Sequence, residues 1–346
     1  MDEPPLPIAG GGQSPGRRTG KRHGAFDYCR RGTVAGGART GTSRCLPVRP
    51  GILLPAKIPT NRKRGRSMNT GNDVIISAAL TGAVTPKDIN ENIPLTPEEI
   101  AADAYRCWQR GAAIVHLHMR DDRGLGTMDS GKFAETIRLL RARHDCDVII
   151  NCTTSGDHRA SDKQRQEHVA NLNGIEMASW DAGSFNWMPG GVFINSPQFL
   201  GALGEVLTAR GIKPEVEIFD AGMLGIAGYF LEQGKLAGPL HYQFCLGVPG
   251  GMPATVENLL YLREHIPPEA TWSAFGVGKA HMSMLYAAIA LGGHVRVGLE
   301  DNVYFRKGVK ASNAQLVERA AQAIRLFGKE VATPEQARKL LGLRPL

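Results

Sequence analysis

Residues 96–118 read TPEEIAADAYRCWQRGAAIVHLH. Thr96 has the chemistry of a helix N-cap, Pro97 suits a first helical position that needs no N–H, and Glu98 and Glu99 fall where the helix dipole favours negative charge. The spacing predicts a helix to about Arg110, ended by Gly111. The run Ala113–His118 is short and β-rich, which predicts a strand. A helix feeding a buried strand through two or three residues is half of a βα repeat, and the chain goes on repeating it.

Further strands are read at Val74–Leu80, Val148–Thr153, Glu176–Ser179, Pro214–Ile218, His241–Leu246, Thr271–Phe275 and His294–Val297. Helices are read near 131–143, 160–171, 196–210, 222–233, 255–265 and 279–291, then at Asn313–Phe327 and Thr333–Leu341. Eight strands, each followed by a helix, over about 270 residues fit an α/β fold of the closed (β/α)8 TIM-barrel type, with an open doubly wound sheet as the alternative. In a barrel the chemistry sits at the carboxyl ends of the strands, so the residues ending each strand are the ones to read.

The formal charge of +8 is unevenly spread. Of 41 Lys and Arg, 14 fall in residues 1–67 against 3 of 33 acidic residues, which leaves 27 against 30, a net of −3, for the rest. The basicity therefore belongs to an arm rich in Gly, Pro and Arg, a composition that predicts disorder. Residues 1–70 are read as a disordered or mis-assigned extension, with Met68 as the natural start, and residues 71–346 as the barrel domain. A nucleic-acid-binding arm is the lesser alternative, and the acidic MDEPP start with its prolines argues against a transit peptide. The six cysteines form no CxxC, which points to reduced thiols in the cytoplasm, and no apolar run reaches the ~18 residues of a membrane span.

On a strand, residues two apart share a face, so His116 and His118 project together. Buried imidazoles need partners, and an HxH pair at a strand end reads either as a metal half-site, zinc being the usual occupant, or as two hydrogen-bonded structural histidines. GGHVRVGLEDN (292–302) offers a third ligand in Glu300, although a Glu-Asp pair also suits a solvated turn. The glycines of GVPGGMP (247–253), with Gly250 and Gly251, and of FGVGKAH (275–281) follow strands six and seven. They read as tight turns or as cradles for anionic groups, where Lys279 would meet a phosphate.

The stretches AALTGAVT (78–85), IPLTPEEIA (93–101), GAAIVHLHMRDDRG (111–124), FINSP (193–197), KPEVEIFDAGM (213–223), FCLGVPGGMP (244–253), GGHVRVGLEDN and ATPEQAR (332–338) together resemble the 3-keto-5-aminohexanoate cleavage enzyme family, the β-keto acid cleavage enzymes. The resemblance covers residues 73–346 in order. It implies a zinc-dependent barrel enzyme, a homotetramer, that condenses a β-keto acid with acetyl-CoA to give acetoacetate and a new acyl-CoA. Carried over position by position, it implies one Zn²⁺ on His116, His118 and Glu300, Asp301 as the base that takes a proton from the carbon between the two carbonyls, and Arg296 as its partner. It further implies Thr153 as hydroxyl donor to an oxyanion, with Ser179 and Glu217 as polar residues of the substrate pocket. Where family members acting on an amino-substituted keto acid carry an acidic residue after TGA, this chain has Val84. Trp180 would give the pocket an aromatic wall, either as plain packing or as a selector of an apolar or quaternary-ammonium group.

The rival enzyme reading is a metal-dependent amidohydrolase. Those barrels end their first strand in HxH and use a mid-barrel lysine with two more histidines, whereas here HLH ends the second strand, no lysine ends the fourth, and His241 begins a strand.

Overall fold

The computed structural model describes residues 71–344; the basic arm, with Cys29 and Cys45, lies outside the described residues. Eight parallel strands close into a barrel: β1 (Ile76–Ala79), β2 (Ile114–Leu117), β3 (Ile149–Cys152), β4 (Met177–Asp181), β5 (Lys213–Ile218), β6 (His241–Leu246), β7 (Thr271–Gly276) and β8 (His294–Val297), with β8 pairing back onto β1. Outside them run α1 (Pro97–Gln109), α2 (Ser130–Arg141), α3 (Asp162–Asn171), α4 (Pro197–Arg210), α5 (Gly222–Glu232), α6 (Val256–Glu264), α7 (His281–Ala290), α8 (Asn313–Leu326) and α9 (Pro334–Leu341). The order β then α, repeated to closure, is the (β/α)8 fold that the sequence predicts.

The local chemistry accounts for the boundaries. Thr96 Oγ1 accepts the Glu99 amide at 3.2 Å, Pro97 opens α1, and Gly111 leaves it at φ 106°. Ser196 and Pro197 start α4 in the same way, and Gly211 ends it in the left-handed region at φ 68°. A side-chain cap of this kind contributes about 1 kcal/mol. Strand residues alternate between two apolar layers. Val115, Leu117, Ile150, Ala178, Trp180, Val216 and Phe244 face the helices, while Ile114, Ile149 and Met177 close the bottom of the barrel against Ala337 and Leu341 of α9. Arg338 of α9 locks that plug by pairing with buried Glu176 at 2.6 Å.

The structure differs from the sequence reading at the edges of elements. β1 begins at Ile76, because Asp73–Val74 pairs outside the barrel with Glu330–Val331. β2 ends at Leu117, which leaves His118 just past the ladder, and a 3-10 turn at Gly278–Ala280 delays α7 to His281. Three small ribbons at the carboxyl side were not anticipated: Met119–Arg120 with Gly126–Thr127, Phe185–Trp187 with Gly191–Phe193, and Tyr304–Arg306 with Val309–Lys310. Strands of two or three residues are too short to show an alternating pattern. Among the described residues no helix is long and apolar enough to cross a membrane.

Candidate metal centre and acid cluster

At the carboxyl mouth of the barrel β2 and β8 bring three ligating groups together. His116 Nε2 stands 3.8 Å and His118 Nε2 3.5 Å from Glu300 Oε1, and ligand atoms of the three residues all lie within 4.8 Å of one another. Ligand atoms 2.0–2.1 Å from a tetrahedral zinc stand about 3.4 Å apart, so the triangle is close to the size that ion needs. Burial pushes the His116 imidazole down to about 3, which leaves the ring neutral and its lone pair free at neutral pH. Burial opposes ionisation of Glu300, but its neighbours, His118 and Arg296 foremost, outweigh it and hold the carboxyl well below the usual carboxylate range. Glu300 Oε2 is buried without a hydrogen-bond partner. Two imidazoles and one anionic carboxylate with an unused oxygen are the donor set of an open zinc site, so the residues present fit the metal.

Behind this triangle lies a cluster of acids organised by one cation. Arg296, on β8, donates from Nε and Nη2 to the two oxygens of Asp301 at 3.0 Å each, from Nη1 to Glu217 at 3.0 Å and from Nη2 to Glu300 at 2.5 Å. Its ring-facing side lies 4.6 Å from the Phe275 centroid. Glu215, Glu217, Asp181 and Asp301 are all buried, and for Asp301, Glu215 and Glu217 burial is the main force that makes the proton harder to remove. It raises Asp301 to about 6 and Glu215 to about 7, and Glu217 goes well above its ordinary value as the charge of Asp181 adds to burial. A carboxyl poised near 6 is mostly ionised at neutral pH yet basic enough to accept a proton, which suits general-base work.

The remaining sequence candidates separate. Thr153 directly follows β3, buried, with Oγ1 accepting the Ser155 amide at 3.1 Å. Ser179 faces the barrel interior, where its Oγ accepts the Thr154 amide at 3.0 Å. Val84 lies in the turn after β1 and is 72% exposed. Trp180 does not line the pocket: alternation on β4 turns it outward, where its indole N–H reaches the Leu200 carbonyl of α4 at 3.0 Å and its ring meets Phe230 of α5 edge-on. The aromatic wall expected at Trp180 is thus corrected to packing between barrel and helices.

Gly250 and Gly251 have a packing reason. A Cβ at Gly250 would fall 1.6 Å from the Asn186 carbonyl oxygen, and one at Gly251 would fall 2.7 Å from that of Phe219, so glycine lets three loops meet backbone to backbone. Lys279 is exposed on the turn after β7, whose Gly278 amide points at the Asp301 carbonyl at 3.4 Å. His241 begins β6 and bonds Thr271 and Ser273, far along the strand from the metal triangle. β4 ends in Asp181, not lysine.

Residues that the sequence reading passed over complete the site. Glu215 Oε1 accepts from the side-chain Nδ2 of Asn151 at 2.8 Å. Both oxygens of Asp181, which is 1% exposed, lack partners. The signal was present as the period of two: Glu215 precedes Glu217 by two on β5, and Asp181 follows Ser179 by two on β4.

Residues 73–343 match the family model described as beta-keto acid cleavage enzyme. A 3-keto-5-aminohexanoate cleavage enzyme of Fusobacterium nucleatum is 41% identical over 272 residues, which span 78% of this chain and 98% of that protein. A 3-oxoadipate:acetyl-CoA acetyltransferase of Cupriavidus necator is 36% identical over 78% of this chain and 94% of its own length. A 3-dehydrocarnitine:acetyl-CoA trimethylamine transferase of Rhizobium meliloti is 34% identical over 80% and 98%.

Proposed function

The chain belongs to the beta-keto acid cleavage enzyme family, and we propose that it is a zinc-dependent acyltransferase that condenses a β-keto acid with acetyl-CoA to give acetoacetate and a new acyl-CoA. The observation that carries this reading is the meeting of His116, His118 and Glu300 within 4.8 Å at the strand ends, with the Arg296–Asp301 pair directly beside them. When bound there, a divalent ion supplies a Lewis acid that favours enolisation of a chelating ketone. The relatives named for acetyl-CoA transfer point to the co-substrate.

The chain's own residues do the rest of the chemistry. Asp301 Oδ takes the proton from the carbon between the two carbonyls, and burial beside a fixed guanidinium keeps that carboxylate in place and desolvated. Arg296 holds Asp301 with a two-pronged, charge-assisted pair. The enolate carbon then attacks the thioester carbonyl and expels the CoA thiolate, the thiolate adds to the keto carbonyl of the adduct, and cleavage of the carbon–carbon bond gives the new acyl-CoA and an acetoacetate enolate that regains its proton from Asp301. Thr153 serves these steps as hydroxyl donor to the oxyanion. Glu217 orders Arg296 from the other side, and Lys279 with the Gly250–Gly251 loop borders the path of CoA.

The side group of the keto acid is read from the turn after β1. Val84 offers no counter-charge for an amino substituent, which favours a keto acid other than 3-keto-5-aminohexanoate. We further propose that the enzyme is a cytoplasmic homotetramer and that the activity resides in residues 71–346. Removing residues 1–67 is expected to leave metal content and turnover unchanged; a loss of both would favour a function for the arm.

The decisive experiment incubates the purified protein with acetyl-CoA and a panel of β-keto acids and follows acetoacetate. Turnover of one or more is expected, and a chain that carries zinc yet forms acetoacetate from none would sink the proposal.

A further inference from the structure

We infer that Arg120 is a positioning residue of the metal centre, holding the turn that supports Glu300. The inference rests on the proposed zinc site.

Arg120 lies two residues beyond His118 and is 2% exposed. Among the described residues its side-chain hydrogen bonds all go to backbone carbonyl oxygens: Nε to Gly82 at 2.6 Å, Nη1 to Gly124 at 2.7 Å, and Nη2 to Thr81 at 3.1 Å and Thr85 at 2.8 Å. Three of the four acceptors belong to one turn, residues 81–85, which follows β1. A guanidinium is costly to bury, and its rigid fork spreads five donors over several acceptors where an ammonium would gather three at one point. The arrangement therefore fixes the shape of that turn.

The other side of the same turn carries Glu300. Gly82 sits in the left-handed region at φ 61°, and a Cβ there would stand 2.7 Å from Glu300 Cγ and 3.2 Å from Glu300 Cβ. The glycine thus gives the Glu300 side chain a flat backbone wall to lie against, and the Glu300 amide bonds Ala79 at the end of β1 at 3.2 Å. Rotating Glu300 away from His116 and His118 requires the turn to give, and Arg120 is what prevents it. One segment, residues 116–120, consequently supplies two ligands and the brace for the third. Val84 rides on the braced turn, so the same contact sets where the substrate's side group meets the protein.

Groups that orient a ligand without touching the metal change affinity by about 10- to 100-fold when removed. The test strips metal from the full chain by chelation and titrates it with Co²⁺, whose visible absorption reports both affinity and coordination geometry, for wild type, Arg120→Met, Arg120→Lys and Gly82→Ala. Co²⁺ binding at least tenfold weaker is expected in Arg120→Met and Gly82→Ala, with an altered spectrum. Arg120→Lys should fall between, and added methylguanidinium should partly restore Arg120→Met. Cooperative thermal unfolding serves as the folding control, and if Arg120→Met does not fold, Gly82→Ala and Arg120→Lys decide. Folded variants that bind Co²⁺ as wild type does, with its spectrum, overturn the inference alone. A wild-type chain with no Co²⁺ affinity overturns the zinc site and the inference with it.

Discussion

Arg296 and Asp301 form a buried two-pronged ion pair, Nε to Oδ2 and Nη2 to Oδ1 at 3.0 Å each. They are five residues apart, one on the last barrel strand and one just beyond its end. The pair leaves Arg296 Nη1 for Glu217, so the carboxylate assigned as base and the acid behind it share one cation.

Asp301→Asn keeps the shape of that pair but removes the proton acceptor. Turnover should fall by about 10²- to 10⁴-fold, the size of a lost general base, while zinc content stays near that of wild type. Steady-state assay beside elemental analysis checks it, and full activity in Asp301→Asn would end the assignment of this residue as base.

His116→Ala opens the metal triangle. Zinc stoichiometry should drop far below one per chain, and acetoacetate formation should disappear with it. If the variant purified with as much zinc as wild type, His116 would be a structural histidine.

Arg296→Met strands Asp301, Glu217 and Glu300 without their cation in a buried site. Taking one partner from a buried ion pair costs about 3–5 kcal/mol, so the urea unfolding midpoint should move down markedly. A midpoint within error of wild type would mean that the acids are neutral without Arg296 and need no counter-ion.

Trp180→Phe tests the outward placement of this ring. Loss of the indole bond to the Leu200 carbonyl should cost about 1 kcal/mol of stability and leave the ranking of β-keto acids by kcat/KM unchanged. A reordered ranking would put Trp180 back in the pocket.

The fold should be acid-labile because of histidines outside the metal centre. Burial lowers His168, which stacks on Phe133 at 4.2 Å, to about 4, and likewise lowers His281 and His294 to about 4. Each folded-state value lies below the unfolded one of about 6.5, so between pH 6.5 and 4 the unfolded chain binds more protons and stability falls as pH falls, by up to about 3 kcal/mol per fully buried group. Denaturation midpoints measured from pH 7.5 to 4.5 should show the decline. His168→Phe, which keeps a ring against Phe133, should flatten it, and identical slopes in the two proteins would refute the contribution of His168.

The sequence by itself determined the repeat and singled out the three residues that meet in the candidate metal site. Thr96-Pro97-Glu98-Glu99, Ser196-Pro197 and Gly211 act within a turn or two of chain, and caps, proline positions and short apolar strands are local, so the eight βα units were legible one after another. HLH and GLEDN were legible as well, because each is compact in sequence and lies at or just past the end of a strand, where a barrel keeps its chemistry. Barrel closure alone decided the rest. Glu217 sits opposite Asp181 through the β4–β5 register, and Arg296 reaches Glu217 across 79 positions of sequence. Trp180 faces the helices and Asp181 the interior because side chains alternate on a strand whose register only the closed sheet fixes. Arg120 becomes a brace for Glu300 only when β8 returns to β1, since the carbonyls it binds and the carboxylate they support are brought together by tertiary pairing and share no local pattern.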